Sequence, residues 1–566
     1  MATITHNLFW GAGEGDFRLN VTKGCWPTDA DGAVFIVGPD KRRPGGHWFN
    51  EHGMICKIHC APDSGGRVRV QFRLVETPVK KLRDRLPWLF RKVFVMEASP
   101  FGVTNLANTN VQPMNDRLFL GYDVGRPVEI DPETLDYVTA VGDNTEWVHS
   151  LPGLIEPMTS VAAHPAPAYD ENALYFVNYL QIPLPGIETG TWVARWALDG
   201  PVERWKLDGI GKFDSIHDIK ATKDYLVITD LPFATEPAVV MGGPRKRPNQ
   251  DFTRLWIVSK KDLKQTPAGG SVPFRELKIP MSTGHIAIDY DNPGGEITVY
   301  LQHIGTADLA ITCNPNERNR DGEMFDPNHD GLIALDSQPS VVGRYRIAAA
   351  TGELKETKLA YDRDQFWGGI LWTQNVYTDS SQRKARNLFY GSMGFDPELM
   401  AETTWRLYKD YQHAIVPMDR LPEKYIPGAL ARVDLEQMEY SDVYRYEDGM
   451  FPHPPTFVPR RNCQHDLDGY VVVVVHKKAP KEIHIFDAAN LVQGPVAVAS
   501  APDFNPPFML HSCWMAPRKG PRPSQYRVDP VKEVWGAVRD VPGRVSAFAR
   551  MAGLMVRKPK RAERSA

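Results

Sequence analysis

Residues 160–179 read SVAAHPAPAYDENALYFVNY. The run ALYFVNY, rich in aromatic and β-branched residues and preceded by the turn-forming DEN, predicts a strand, and His164 stands just ahead of the turn that leads into it. The same unit recurs. Residues 213–230 (FDSIHDIKATKDYLVITD), 281–301 (MSTGHIAIDYDNPGGEITVYL) and 505–515 (NPPFMLHSCWM) each set a histidine, His217, His285 and His511, in or beside a turn next to a strongly β segment. Working outward, strand signals bounded by Gly, Asp, Asn or Pro continue along the chain, among them GAVFIVGPD (32–40), DRLFLGYDVG (116–125), RLWIVSK (254–260), VVGRYRIAAATGEL (341–354), RNLFYGS (386–392) and GYVVVVVHKK (469–478). Long helical patterns do not alternate with them, which argues against a βαβ fold. An all-β chain of this size is accommodated as one unit by a β-propeller, at about 40 to 50 residues per blade, with its edges short and protected. Two stacked sandwiches are the competing architecture, because no clean sequence repeat is visible.

Composition agrees. The 566 residues are 42% hydrophobic, 10% aromatic and 24% charged, which is a globular chain able to bury a large core. Gly 45 and Pro 47, spread throughout, predict many turns and short strands. A formal net charge of -3 gives no global basic field for nucleic acid. The six cysteines contain no C-x-x-C pair and read as free buried thiols, with disulfides or metal binding as the alternative. The first residues lack a basic stretch followed by an apolar one, and no 18-residue apolar run occurs, so the expectation is a reducing, cytoplasmic setting.

Two segments depart from the β pattern. Residues 78–96, PVKKLRDRLPWLFRKVFVM, surround Trp88, Leu89 and Phe90 with Lys80, Lys81, Arg83, Arg85, Arg91 and Lys92, the pattern of a peripheral membrane contact. An ordinary cap with its apolar side turned inward is the alternative. The tail after Pro542 places Val545, Phe548, Leu554 and Met555 ahead of a basic run, and reads as a solvated tail or a membrane anchor.

Signatures of serine hydrolases, P-loop NTPases, dinucleotide-binding enzymes and zincins are missing. Histidine remains. His164, His217, His285 and His511 are separated by 53, 68 and 226 residues, far beyond a local metal knuckle, so only the fold can bring them together. A ring of blades, each aiming an imidazole at a common axis, would produce such separations.

Several stretches in order carry a family resemblance from about residue 15 to residue 517: LNVTKGCWPTDADGAVFIVGPD (19–40), GGHWFNEHGMICKIH (45–59), NLANTNVQPMNDRLFLGYDVGRPVEIDPETL (105–135), the three histidine segments, FVPRRNCQHDLDGYVVVVVHKK (457–478), EIHIFDAANLVQGPVAVASAP (482–502) and PPFMLHSCWM (506–515). In these motifs the chain resembles the carotenoid cleavage oxygenases. The resemblance implies a single seven-bladed propeller over residues 15–517, with a helical and loop dome over the iron-bearing face. It leaves residues 1–14 as an N-terminal extension and 518–566 as a basic, partly helical tail. It also implies Fe(II) held by His164, His217, His285 and His511, with O2 as co-substrate. Nitrogen donors suit iron, and four neutral imidazoles leave two positions open. An apolar polyene, a carotenoid or apocarotenoid, would be cleaved at a carbon–carbon double bond through a dioxetane-like intermediate into two carbonyl products, without an external reductant. A stilbene is the alternative substrate, and an apolar-ligand-binding propeller without catalysis is the second alternative.

The chain departs from the family where glutamates steady the metal-bound imidazoles. Asp123 stands at the first such position, unless it is simply a turn residue. Thr373 or Gln374 falls at the second. Pro454, beside His453, falls at the third, with Asp364 as a candidate substitute. The expected consequence is weaker iron retention or altered oxygen reactivity. His303 is the rival third ligand. Tyr122 replaces the lysine that stilbene cleavers carry, which favours a polyene.

Overall fold

The computed structural model describes residue 4 and residues 9–93, 95–149, 153, 155–181, 189–234, 236, 245–314, 316–373 and 384–539. These form short antiparallel sheets arranged in a ring. Residues Asn110–Met114, Arg117–Gly121, Val128–Ile130 and Tyr137–Ala140 make one four-stranded meander. The next sheet starts with Ser160–Val161 and Ala166–Ala168, both paired to Ala173–Leu180, and continues through Gly190–Trp196 and Val202–Lys206. Two further meanders begin with Ser215–Ala221 and Thr283–Ile288, and another with Gly369–Trp372. A ten-stranded sheet closes the ring. Its seam is Gly15–Gly24, which pairs through Gly15 to Leu19 with Val68–Leu74 and through Asn20 to Gly24 with Ala497–Ser500. Beyond it, Ser512–Met515 pairs with Ala33–Pro39, so strands from both ends of the chain lock one ring shut.

The strand sequences explain their places. Within the meander that starts at Thr283–Ile288, the inner strands are mostly buried, whereas the outermost, Glu353–Ala360 (ELKETKLA), is exposed along nearly its whole length. Gly469–His476 carries five consecutive valines and is buried on both faces, as a strand between two packed layers must be. Adjacent sheets meet through apolar faces: Leu255 and Ile257 against Val299 and Ile347, Ile219 against Tyr175, and Phe119 against Trp196, while Val472 and Val34 share a cluster between the two arms of the ten-stranded sheet. Each such aliphatic side chain contributes about 1.5–3 kcal/mol by leaving water.

Long connections and short helices pack beside the sheets in clusters of their own. Helix Glu402–Tyr408 joins Trp367, Phe395, Met400 and Met418 in one cluster. A second cluster gathers Phe9, Trp10, Trp48, Leu371, Phe451, Phe508 and Leu510, the last being the chain neighbour of His511. Ile4, Phe9 and Trp10 are buried there. The first part of the tail is docked as well: Arg518 pairs with Asp131 at 3.0 Å and Arg522 with Glu129 at 2.6 Å. Helix Pro530–Arg539 follows. The segment expected to be helical after Pro542 lies outside the described residues.

Lys481 ties the two chain ends together. Fully buried, its Nζ donates to the carbonyls of Trp10 at 3.1 Å and Pro506 at 2.6 Å. Burial pulls this amine down from 10.5 to about 7. Between those limits the unfolded chain holds a proton that the folded chain has lost, so stability rises with pH across that window. Lys481→Met should flatten this slope, and urea denaturation of both proteins at pH 7 and pH 9.5 measures it; parallel pH dependences would contradict it.

The basic segment is only partly what its sequence predicted. It forms helix Pro78–Arg85, a short 3-10 turn at Pro87–Leu89 and strand Arg91–Val93. Trp88 is 67% exposed and Leu89 is half-buried. Phe90, expected on the exposed patch, is buried instead and packs against Phe101 with ring centroids 6.3 Å apart. Several cations are also neutralised: Lys80 by Glu76 and Asp84, Lys92 by Glu51, and Arg83 by Glu97. Among the described residues, no helix is long and apolar enough to cross a membrane.

Candidate metal centre

Each of the four histidines sits on, or directly against, an edge strand of its sheet, and the edge strands Ala166–Ala168, Ser215–Ala221 and Thr283–Ile288 adjoin one another in turn. His217 and His285 lie on strands Ser215–Ala221 and Thr283–Ile288, each at a β-bulge, between Ile216 and Asp218 in one case and Thr283 and His285 in the other. A bulge breaks the two-residue alternation and re-aims the side chain beside it. His164 occupies the interruption between Ser160–Val161 and Ala166–Ala168, and its backbone bridges to the next sheet, its N–H donating to the carbonyl of His217 at 3.1 Å. His511 immediately precedes the strand Ser512–Met515.

The ligating atoms of the four rings lie within 4.8 Å of one another, and all four residues are buried. Ring centroids are 4.2 Å apart for His164 and His511, 4.6 Å for His164 and His217, and 4.7 Å for His285 and His511. Nε2 of His164, Nε2 of His285 and Nδ1 of His511 are buried without a hydrogen-bond partner among the described residues. Buried polar atoms are normally satisfied, so orphaned nitrogens on rings whose ligating atoms lie within 4.8 Å of one another fit a cation site. Burial, reinforced by the neighbouring imidazoles, holds His164, His285 and His511 far below the usual histidine range, which keeps them neutral and able to donate lone pairs. His217 differs: burial also opposes its charging, but the Asp123 carboxylate outweighs burial and raises it. The donor set fits iron, which imidazole suits.

Asp123 accepts from Nδ1 of His217 with both oxygens, at 3.0 and 2.9 Å, and from the backbone N–H of Ala163 at 3.1 Å. Its carboxylate therefore faces His217. At the other outer positions the described residues make contacts elsewhere. Gln374 lies outside the described residues. Thr373 is engaged with the backbone of Phe389, and Asp364 is exposed, its backbone carbonyl accepting from Arg445. His453 is buried and donates Nδ1–H to its neighbour Pro454, so no carboxylate occupies that place. The partner of His285 is instead Gln302, whose Oε1 lies 2.7 Å from Nδ1. Sequence reasoning passed over this residue, although hairpin counting across the turn after Asp291 sets it directly opposite His285. His303, one residue further, projects to the other face of its strand. There its ring meets Tyr345 Oη at 2.8 Å, outside the cluster.

Residues 11–516 match the profile of the family described as RPE65, retinal pigment epithelial membrane protein. A rice protein named carotenoid cleavage dioxygenase 8 homolog B, chloroplastic, is 22% identical over 443 residues, which is 74% of this chain and 65% of that one, a little under two thirds of its length. Resveratrol cleavage oxygenase 1 of Chaetomium globosum is 24% identical over 88% of this chain and 84% of its own. Among solved structures, a lignostilbene dioxygenase from Pseudomonas brassicacearum superposes with a TM-score of 0.61 at 18% identity, covering 90% of this chain and 98% of that one. The ring of β sheets is thus the propeller these proteins share, and with most of its length matched, the chain belongs to the RPE65 family of carotenoid cleavage oxygenases.

Proposed function

We propose that the protein is a non-haem Fe(II) dioxygenase that cleaves a carbon–carbon double bond of a carotenoid or apocarotenoid with O2, giving two carbonyl products. The observation that carries this reading is the convergence of four buried imidazoles whose ligating atoms lie within 4.8 Å of one another, three of them with an orphaned nitrogen. Iron bound there would supply a ferrous centre with open positions at which dioxygen is activated. The protein's own part is to position and to exclude water. Asp123 aims His217, and the packed rings of Trp48, Phe451 and Phe508 with Leu510 make the surroundings of His511 apolar, in keeping with a hydrocarbon substrate.

The same apolar setting favours a polyene over a phenol. Tyr122, at the position where stilbene cleavers carry a lysine, is buried and donates its hydroxyl to the carbonyl of Val95 at 2.9 Å, which leaves it unavailable to a substrate hydroxyl. The resveratrol-cleaving relative is the argument for a stilbene. The oxygenase unit is taken as residues 15–517 and the tail as 518–566. Seven blades are inferred by dividing the ten-stranded sheet at Gly15–Gly24 into two and adding the five separate meanders. Exposed Trp88 is the proposed point of peripheral membrane contact.

Anaerobic reconstitution with Fe(II), followed by oxygen uptake with an apocarotenal and a hydroxystilbene in parallel, tests the reading. Uptake with the apocarotenal, with two carbonyl products, is expected. Uptake with the hydroxystilbene alone would replace the substrate class, and stoichiometric iron with no uptake from either would make the protein a binding module.

A further inference from the structure

His217 and His285 are steadied in chemically different ways. Gln302 is completely buried and pairs directly across the strand from His285. Its Nε2 lies 3.0 Å from the carbonyl of Ile370 and 2.9 Å from Tyr390 Oη. A backbone carbonyl can only accept, so the amide nitrogen must face Ile370 and the amide oxygen must face the ring. That oxygen in turn only accepts, so Nδ1 of His285 carries the hydrogen and Nε2 presents its lone pair to the cluster. The amide cannot turn over without breaking three contacts inside a dry interior, where an unmade hydrogen bond costs about 1–3 kcal/mol. Tautomer and aim are therefore fixed as firmly as by a carboxylate, but without a charge. On His217 the same task falls to the Asp123 carboxylate.

We propose that Gln302 is the positioning residue of His285, and that its neutrality leaves the proposed iron centre with a carboxylate on His217 and none on His285, so that the site favours Fe(II) over Fe(III). The inference rests on the metal-centre reading above. A carboxylate at this place would stabilise the higher charge of Fe(III) more than that of Fe(II), and would make the imidazole a stronger donor. The amide does neither, while still preventing rotation of the ring.

The test compares the wild-type chain with Gln302→Glu and Gln302→Leu, using three readouts that do not require turnover: Fe(II) affinity by chelator competition, the midpoint potential of the bound iron, and the visible absorption of the Co(II)-loaded protein. Gln302→Glu should bind Fe(II) about 10 to 100-fold more tightly and lower the potential, whereas Gln302→Leu should weaken binding by about the same factor and shift the cobalt bands. A purely structural glutamine could explain the loss in the leucine variant, but not tighter binding and a lower potential in the glutamate variant. If wild type binds one Fe(II) and both variants share its affinity, potential and spectrum, the assignment of Gln302 is overturned while the metal centre stands. If wild type takes up neither iron nor cobalt, the metal-centre reading falls, and this assignment falls with it.

Discussion

Replacing His285 by alanine should yield a folded protein that retains no iron after gel filtration and shows no oxygen uptake with an apocarotenal. The four candidate ligating nitrogens come from four separate sheets, and the removal of His285 takes one donor out of a buried cluster whose members lie within 4.8 Å of one another. His303, the nearest sequence alternative, cannot substitute. It lies on the opposite face of strand Glu296–His303, with its ring held by Tyr345 and Thr283. His303→Ala should accordingly keep its iron, measured by metal analysis of both variants side by side. Retention of iron in His285→Ala, with loss in His303→Ala, would move the third ligand.

The largest stability effect is expected at Arg126. Its guanidinium is buried, forms two hydrogen bonds with the Glu156 carboxylate at 3.2 and 3.0 Å, and donates to Glu533 at 2.6 Å and to the Gly142 carbonyl at 2.8 Å. It thus joins the sheet that begins at Asn110 to helix Pro530–Arg539, more than 400 residues later in the chain. Arg126→Leu would leave two carboxylates with little solvent and no cation. Breaking a buried pair in this one-sided way costs about 3–5 kcal/mol, much more than an exposed pair is worth. Burial already raises Glu533 above the ordinary carboxylate range despite Arg126, so loss of the arginine should drive it further toward the neutral form. Denaturant unfolding should record the loss, and limited proteolysis should release the tail after residue 517 first. A change below about 1 kcal/mol with an uncut tail would contradict the network's importance.

These two sites differ in how far the sequence reveals them. The four clustered histidines were legible because each sits beside a strand-and-turn unit whose local chemistry is strong, with separations of the kind a ring of blades produces. Asp123 was legible through the family resemblance, because it falls in GYDVG at the position of the first glutamate that steadies a metal-bound imidazole. Gln302 was not, because the expectation of a carboxylate directed attention to residues near Thr373, whereas the partner is set by the register of the hairpin that carries His285 itself. Phe90 and Trp88 stand two residues apart in one amphipathic run, and only packing against Phe101 separates the buried ring from the exposed one.

By itself the sequence determined the all-β class, the set of axial histidines and the expectation that most of the length serves one metal site. The first follows from strand propensity and turn chemistry, which are local properties of residues, and the other two from the order of motifs that carry the family resemblance. Only the tertiary structure decided which groups surround those histidines, how Lys481 and Gly15–Gly24 join the chain ends, and that residues 518–539 are docked through Arg126. Such pairings are made between residues tens to hundreds of positions apart. Their energy depends on burial and geometry that arise only when the ring closes, so no local pattern in the chain records them.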